Sequence, residues 1–140
     1  MEFQPYLFFG GNCREAFTRY EEIFGGELTL LRMADAPSEE PVPAEMADVI
    51  IHASLAHSNT VLMGSDDPTG DYGGMHGMFV AYSADDTGDA KRVFDALAEG
   101  GQVTQELQET FFSQGFGMCV DRFGTPWMVV APEPEGAAAG

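Results

Sequence analysis

Basic residues are scarce in this chain of 140 residues. Six Lys and Arg stand against 23 Asp and Glu, which gives a formal charge of −17. A surface this acidic repels nucleic-acid phosphates and anionic lipid headgroups, because it cannot replace the counterions that surround them. We therefore expect neither a nucleic acid nor a membrane among the partners of the protein.

Cysteines and long apolar runs are also scarce. Cys13 and Cys119 are the two cysteines, and they stand far apart without a paired spacing. This pattern indicates reduced thiols rather than a disulfide framework or a zinc site. No apolar run approaches the roughly 20 residues of a membrane span, and the first nine residues lack the basic region of a targeting peptide. We expect a cytoplasmic protein whose 44% apolar residues build one core.

The first half of the chain predicts one strand, one helix and three further strands. The apolar stretch 3–9 predicts a strand that ends at Gly10 and Gly11. Asn12 and Glu15 have the residue types of a capping box, and the helix that they begin ends at Gly25. The remaining predictions are strands at 27–33, 48–57 and 60–65, a solvated loop at 34–47 and a hairpin turn at 58–59.

The second half repeats this order of elements. A loop at 66–77 leads to a strand at 78–82, a helix capped by Asp85 or Asp86, and strands at 102–108, 115–121 and 126–131. A shift of 74 positions places similar residues on the same helical face: Ala16 on Ala90, Tyr20 on Phe94, Ile23 on Leu97 and Gly26 on Gly100. We interpret this as a duplication within one domain at 1–132, made of modules 1–66 and 76–132 and followed by a flexible tail at 133–140.

Short motifs follow one another in order along residues 3–131. They are Tyr6–Ala16, Phe24–Glu27, His52-Ala53, Gly64–Asp66, Gln108–Phe111, Gly115–Gly117 and Asp121–Met128. Together they resemble the PhnB-like branch of the vicinal-oxygen-chelate superfamily, the glyoxalase, bleomycin-resistance and extradiol-dioxygenase group. The resemblance implies an α+β fold of two β-α-β-β-β modules, with curved mixed sheets around a cleft and helices on the outer face. It leaves the activity open, because one fold hosts many chemistries.

Members of this superfamily typically hold a divalent metal with His, Glu or Gln from several strands. The resemblance places the first-strand ligand near Gln4 or Pro5, and Gln4 could offer only an amide oxygen, which is a weak ligand. It places the last-strand carboxylate near Met128, whose thioether is a poor partner for Mg²⁺, Mn²⁺ or Zn²⁺. His52 and His76 are further weak candidates. We therefore expect no cofactor and no complete metal site, with a divalent metal as the alternative.

Side chains alternate along the predicted strand 48–57. Val49, Ile51, Ala53 and Leu55 would share an apolar face, which suits packing against a helix. His52 and Ser54 would then point into the cleft, whereas His57 would lie on the surface. An unpartnered buried imidazole or hydroxyl costs about 1–3 kcal/mol, so this face is expected to be wet or to meet a polar ligand. His52 is either a catalytic or ligand-contacting residue or a histidine bonded only within the cleft.

Aromatic residues would line an apolar pocket beside His52. The ligand-binding candidates are Gln4, Tyr6, Phe8, Ser54, Phe116 and Trp127, with Phe111, Phe112 and Met118 as further wall residues. Core packing is the alternative for each aromatic residue.

Three other side chains have possible chemistry. Cys13 would lie in the first turn of a helix, where the helix dipole favours a thiolate, although buried packing is the commoner role of such a residue. Glu109 and Asp121 are candidates for a general base or a metal carboxylate, with a solvated edge as the alternative. Cys119 is expected to pack in the core.

Two functions remain open at this stage. The first is a protein that binds a small organic molecule in the cleft between its modules without a complete metal-ligand set. The alternative is a metal-dependent lyase, isomerase or dioxygenase that uses His52. PhnB-like sequences have also been labelled ubiquinone-type methyltransferases, but this chain lacks a strand followed by a Gly-rich loop for S-adenosylmethionine. The resemblance further implies a homodimer.

Overall fold

The computed structural model describes residues 1–37 and 39–134. Its contacts divide the chain into two compact units, residues 1–74 and 75–140. The predicted tail at 133–140 lies outside the described residues from 135 onward. In the described part of the chain, neither α-helix has the length and apolar character that crossing a bilayer requires.

The first unit is one β-α-β-β-β module. Its elements are β1 (Tyr6–Phe9), α1 (Cys13–Phe24), β2 (Glu27–Arg32), β3 (Ile50–His57) and β4 (Thr60–Asp66). The strands form a mixed sheet in the order β1-β4-β3-β2, in which β1 is parallel to β4 and the other pairs are antiparallel. The loop predicted at 34–47 begins and ends with short 3₁₀ turns, Met33–Asp35 and Ala44–Met46.

The second unit repeats the topology. Its elements are β5 (Val80–Ser83), α2 (Thr87–Ala98), β6 (Gln102–Gln108), β7 (Phe116–Val120) and β8 (Pro126–Val130). The sheet order is β5-β8-β7-β6, again with the first strand parallel to the last. The α+β fold with two β-α-β-β-β modules is therefore confirmed.

Helix α1 packs on one face of the first sheet because its apolar residues recur at helical spacing. Its buried residues are Cys13, Ala16, Phe17, Tyr20 and Ile23. The ring of Phe17 lies directly against the sheet at Gly64, where an added Cβ would be 2.8 Å from Phe17 Cε2. Only a residue without a side chain allows this close approach.

The N-terminus of α1 is held by Asp66, not by the predicted capping box. Asn12 makes no side-chain capping bond to the helix. Instead the Cys13 N–H donates to Asp66 Oδ1 at 3.0 Å, and the Ile50 N–H donates to Asp66 Oδ2 at 2.9 Å. One buried carboxylate at the end of β4 thus joins the helix to the start of β3. In the second unit the predicted cap is confirmed, since Asp86 accepts from the Asp89 N–H at 2.7 Å.

An irregularity at the start of β3 corrects the predicted alternation. The pairing of β2 with β3 shifts by one residue between Leu31, opposite His52, and Arg32, opposite Ile50. Ile50 is therefore buried at 1% exposure, whereas Ile51 turns to the other side. Ala53, Leu55, His52 and Ser54 lie beyond the shift and keep their predicted faces.

Candidate functional site

One face of the first sheet is left uncovered by α1, and we call it the open face. Leu7 and Phe9 are buried at 2% and 0% exposure, whereas Tyr6 and Phe8 retain 44% and 46%. Residues opposite each other in a sheet share a face. Tyr6 and Ser54 both stand opposite Met63, so Ser54 belongs to the open face, and His52 follows two residues away on β3.

Tyr6 and His52 form a polar pair on the open face. The Tyr6 hydroxyl lies 3.1 Å from His52 Nδ1, which is hydrogen-bond distance, and the tautomer of His52 decides which atom donates. The two ring centroids are 5.7 Å apart and tilted by 33°. Because β4 lies between β1 and β3, the two side chains meet above that strand. His52 therefore has a hydrogen-bond partner on the open face. This agrees with one of the two roles predicted for it, a histidine bonded within the cleft.

The rings of Tyr6 and Phe8 pack edge to face, with centroids 5.7 Å apart. Tyr6, Phe8 and the residues around one end of the sheet line an open pocket of about 950 Å³. We call this the end pocket. Tyr6, Phe8, Ile51 and Ser65 line its sheet side, and Met33, Glu45, Met46, Asp67 and Tyr72 line its loop side. The end pocket and the open face share the half-exposed rings of Tyr6 and Phe8.

Trp127 is not part of an exposed aromatic wall. It is 2% exposed and stands opposite Cys119, so it lies on the buried face of the second sheet. Its Nε1–H donates to Asp121 Oδ2 at 2.8 Å. Trp127 therefore packs in the interior of the second unit, and its burial does not support the predicted contact with a ligand.

Asp121 lies at neither of its predicted positions, a solvated edge or an accessible carboxylate site. It is 5% exposed, and besides the Trp127 indole it accepts the backbone N–H groups of Phe123 and Thr125, both at 2.9 Å. These three donors hold the turn between β7 and β8. Asp121 is therefore a structural carboxylate. Glu109 is exposed just beyond β6, and His57 is exposed at the end of β3, as predicted.

Phe116 belongs to an aromatic row of the second unit. Its ring contacts Phe112 at 5.1 Å between centroids, and Phe112 contacts Phe111 at 5.2 Å. Phe111 is 90% exposed and Phe112 is 42% exposed. Met118 and Met128 stand opposite each other on the same side of the sheet as Phe116.

The thiols of Cys13 and Cys119 are both free and buried. Burial, together with the Asp66 and Glu15 carboxylates, raises the pKa of Cys13 to about 12. Burial, together with Asp121, raises the pKa of Cys119 to about 11. A buried thiol with a raised pKa is a poor nucleophile. Their burial supports the prediction that both residues pack in the core, and the raised pKa of Cys13 does not support the thiolate alternative.

Comparison with known proteins decides the family. The profile of the Glyoxalase/Bleomycin resistance protein/Dioxygenase superfamily matches residues 3–129. The chain belongs to this superfamily. Protein YjdN of Escherichia coli K12 is 33% identical over an alignment of 138 positions. The alignment covers 92% of this chain and 94% of YjdN.

Solved structures of the superfamily fold agree with this assignment. Protein PA1353 from Pseudomonas aeruginosa is 42% identical, with a TM-score of 0.87 over 96% of this chain and 99% of that one. A PhnB protein from Bacillus cereus has a TM-score of 0.73 at 21% identity, over 94% of this chain and 99% of that one. The second similarity concerns the fold alone.

The donor set of this superfamily member does not fit a chelated metal. Among residues 1–37 and 39–134, no three His, Cys, Asp or Glu side chains come together around one point. Gln4 lines a second, smaller pocket together with Thr60 and Val61. Val61 pairs with Ala56, four residues or roughly 13 Å along β3 from His52. The open face presents Tyr6 and Phe8 on β1, and Met128 lies on the side of the second sheet that carries Phe116. None of the three is a carboxylate or an imidazole donor. His76 is exposed in the second unit and joins no such group.

Sequence reasoning missed the loop side of the end pocket. Glu45 and Met46 belong to a segment expected to be only solvated, and Tyr72 to a segment interpreted as turns. These segments have no hydrophobic periodicity from which the positions of their side chains could be predicted. One signal was available at Gly10, since its missing side chain makes room for the Tyr72 ring.

Proposed function

We propose that the first unit of this superfamily member binds a small organic molecule with an aromatic or apolar body, at the end pocket and the adjoining open face. One observation carries the proposal. Tyr6 and Phe8 are 44% and 46% exposed and line a pocket of about 950 Å³. Ligand pockets for small molecules fall in the range of about 300–1,000 Å³ and are lined by aromatic residues with a few polar groups.

The Tyr6–His52 pair supplies the polar contact of the proposed site. His52 uses Nδ1 for its bond to the Tyr6 hydroxyl, and no described residue is hydrogen-bonded to its Nε2 atom. A ligand donor or acceptor at Nε2 would complete the hydrogen bonding of the ring. The hydroxyl of Ser54 lies on the same face and would add a second contact. In this proposal His52 positions a ligand, and no chemical step is assigned to it.

Binding without a chelated metal is favoured over a metal-dependent lyase, isomerase or dioxygenase. Catalytic zinc sites usually have three protein ligands and an open position, and His52 is the one strong donor on the described open face. The hydrogen-bond partner of His52 is the phenol of Tyr6, which is not among the Cys, His, Asp and Glu ligands that usually hold zinc. The donor chemistry therefore supports recognition of an organic molecule.

A binding experiment with simple aromatic fragments tests the proposal. Quinoline, indole and naphthol are titrated into the protein, and binding is followed by the saturation-transfer NMR signal of each fragment. We expect at least one fragment to bind, and Phe8→Ala to weaken that binding about tenfold. Phe3→Ala is the matched control, because Phe3 is 93% exposed outside the end pocket. If no fragment shows binding that depends on Phe8, the proposal is wrong.

A further inference from the structure

The charge of the end pocket indicates what its ligand carries. Four carboxylates line the wall: Glu45, Asp48, Asp66 and Asp67. No Lys, Arg or His is found among the described residues that line it. A pocket whose charged wall residues are all acidic disfavours an anionic ligand and favours a cationic one.

Three of the four carboxylates already have partners. Asp48 is paired with Arg32 at 3.2 Å, and Asp66 accepts two backbone N–H groups, from Cys13 and Ile50. Asp67 accepts the N–H and hydroxyl of Thr69 at 2.8 and 2.6 Å, and these bonds lower the pKa of Asp67. Of these three, Asp48 is the one paired with a cation, whereas the donors to Asp66 and Asp67 are uncharged N–H and O–H groups.

Glu45 differs from the other three. Its carboxylate makes no hydrogen bond or ion pair within residues 1–37 and 39–134. It lies in the 3₁₀ turn Ala44–Met46, next to Met46, which also lines the pocket. Glu45 is therefore the carboxylate that is available to pair with a ligand.

The apolar groups of the pocket also suit a cation. Tyr6, Phe8 and Tyr72 line the pocket, and the face of an aromatic ring attracts an organic ammonium group within about 6 Å of the ring centroid. Tyr72 is closely packed, since a Cβ added at Gly10 would lie 2.6 Å from Tyr72 Cδ2. The thioether of Met33 adds a polarisable wall.

We infer that the end pocket takes an organic cation: a nitrogen-centred positive charge attached to an aromatic or apolar body. The charge would lie near Glu45 and the body against the rings of Tyr6 and Phe8. This inference rests on the proposed function and adds to it the chemical class of the ligand.

Three probes of the same shape separate the two claims. N-Methylquinolinium is cationic, quinoline is neutral at mildly alkaline pH, and quinaldate is anionic. Their dissociation constants are measured by fluorescence titration on the full chain at low and at moderate salt. We expect the cation to bind at least about fivefold more tightly than quinoline, quinaldate to bind weakest, and added salt to reduce the difference.

Two matched variants separate the pocket from the acidic surface as a whole. Glu45→Gln should weaken binding of N-methylquinolinium by about threefold to tenfold and should weaken binding of quinoline by a clearly smaller factor. Glu21→Gln, on the exposed side of α1, removes the same charge and should change neither. Phe8→Ala should weaken both probes.

The outcomes are distinct. If quinoline binds in a Phe8-dependent way and the cation binds no better, the pocket is real and the inference about charge is wrong. If Glu21→Gln weakens the cation as much as Glu45→Gln, the general acidity of the surface explains the preference, and the inference is again wrong. If none of the probes depends on Phe8, the proposed function itself fails.

Discussion

The Tyr6 hydroxyl and the His52 imidazole meet at 3.1 Å above the strand that separates their own strands. Neither residue is close to the other in sequence, and neither is buried. The pair exists because β1 is parallel to β4 and β4 is antiparallel to β3, which places one face of all three strands in register. It gives an otherwise aromatic surface a fixed polar group.

Replacement of His52 by Ala should change stability little. The imidazole is partly exposed and has one bond to an exposed hydroxyl, so its removal leaves no buried group without a partner. We expect a loss of less than about 1 kcal/mol in the free energy of unfolding, and weaker fragment binding. Urea denaturation checks the first effect. A loss of about 2 kcal/mol or more would show that His52 belongs to a closed core.

Replacement of Asp66 or Asp121 by Asn should be far more damaging. Each carboxylate is buried and accepts N–H donors with both oxygens, and an amide turns its own donor group towards one of them. We expect each variant to lose about 2–4 kcal/mol of stability. Asp95→Asn is the control, since Asp95 pairs with Lys91 on the exposed side of α2 and should change stability by less than about 0.5 kcal/mol. Equal losses in all three variants would contradict the structural role of the two buried carboxylates.

The two cysteines should resist alkylation until the protein unfolds. Burial raises the pKa of Cys13 to about 12 and that of Cys119 to about 11, so neither forms a thiolate between about pH 7 and 9. Iodoacetamide labelling followed by mass spectrometry should show unmodified thiols in buffer and two modifications in denaturant. Rapid labelling of Cys13 in the folded protein would contradict its burial.

The same thiols give the protein a stability that depends on pH. A raised pKa means that the folded state binds the proton more tightly than the unfolded state. Their contribution is therefore complete below the ordinary thiol pKa of about 8.5 and is lost as the pH rises towards the folded values. Cys13→Ala should reduce this alkaline loss of stability, which urea titrations at increasing pH would measure.

The purified protein should retain no stoichiometric transition metal after dialysis. His52, Gln4 and His76 do not form a donor set, and tightly bound zinc usually has at least three protein ligands. Elemental analysis should find far less than one zinc, iron or manganese ion per chain. A stoichiometric ion whose binding is lost in His52→Ala would overturn the proposed function in favour of the metal-dependent alternative.

Much of the fold was predictable because its signals are local. The helix stripes, the glycines that follow them and the repeat of element types determine two β-α-β-β-β modules without any tertiary information. The open face was also predictable in part, since alternation placed His52 and Ser54 on it. The bulge beside Ile51 does not affect these residues, because it lies before them on β3.

The errors occurred where local pattern does not encode the neighbour. Every residue of Pro126–Val130 is apolar, so alternation cannot show that Trp127 faces inward. Asn12 has the residue type of a helix cap, but a carboxylate from β4 reaches the same N–H group, and that competition is decided by tertiary structure. The loop side of the end pocket depends on how two irregular segments fold back on β1. These segments have no hydrophobic periodicity, so the sequence does not predict their positions.

Binding of quinoline at the end pocket can be mapped by heteronuclear NMR on the isotopically labelled chain. We expect the largest chemical-shift changes on titration at Tyr6, Phe8, His52 and Tyr72, and we expect them to disappear in Phe8→Ala. Saturable changes confined to other residues, such as the exposed Phe111 and Phe112, or no saturable change at all, would contradict the proposed binding site.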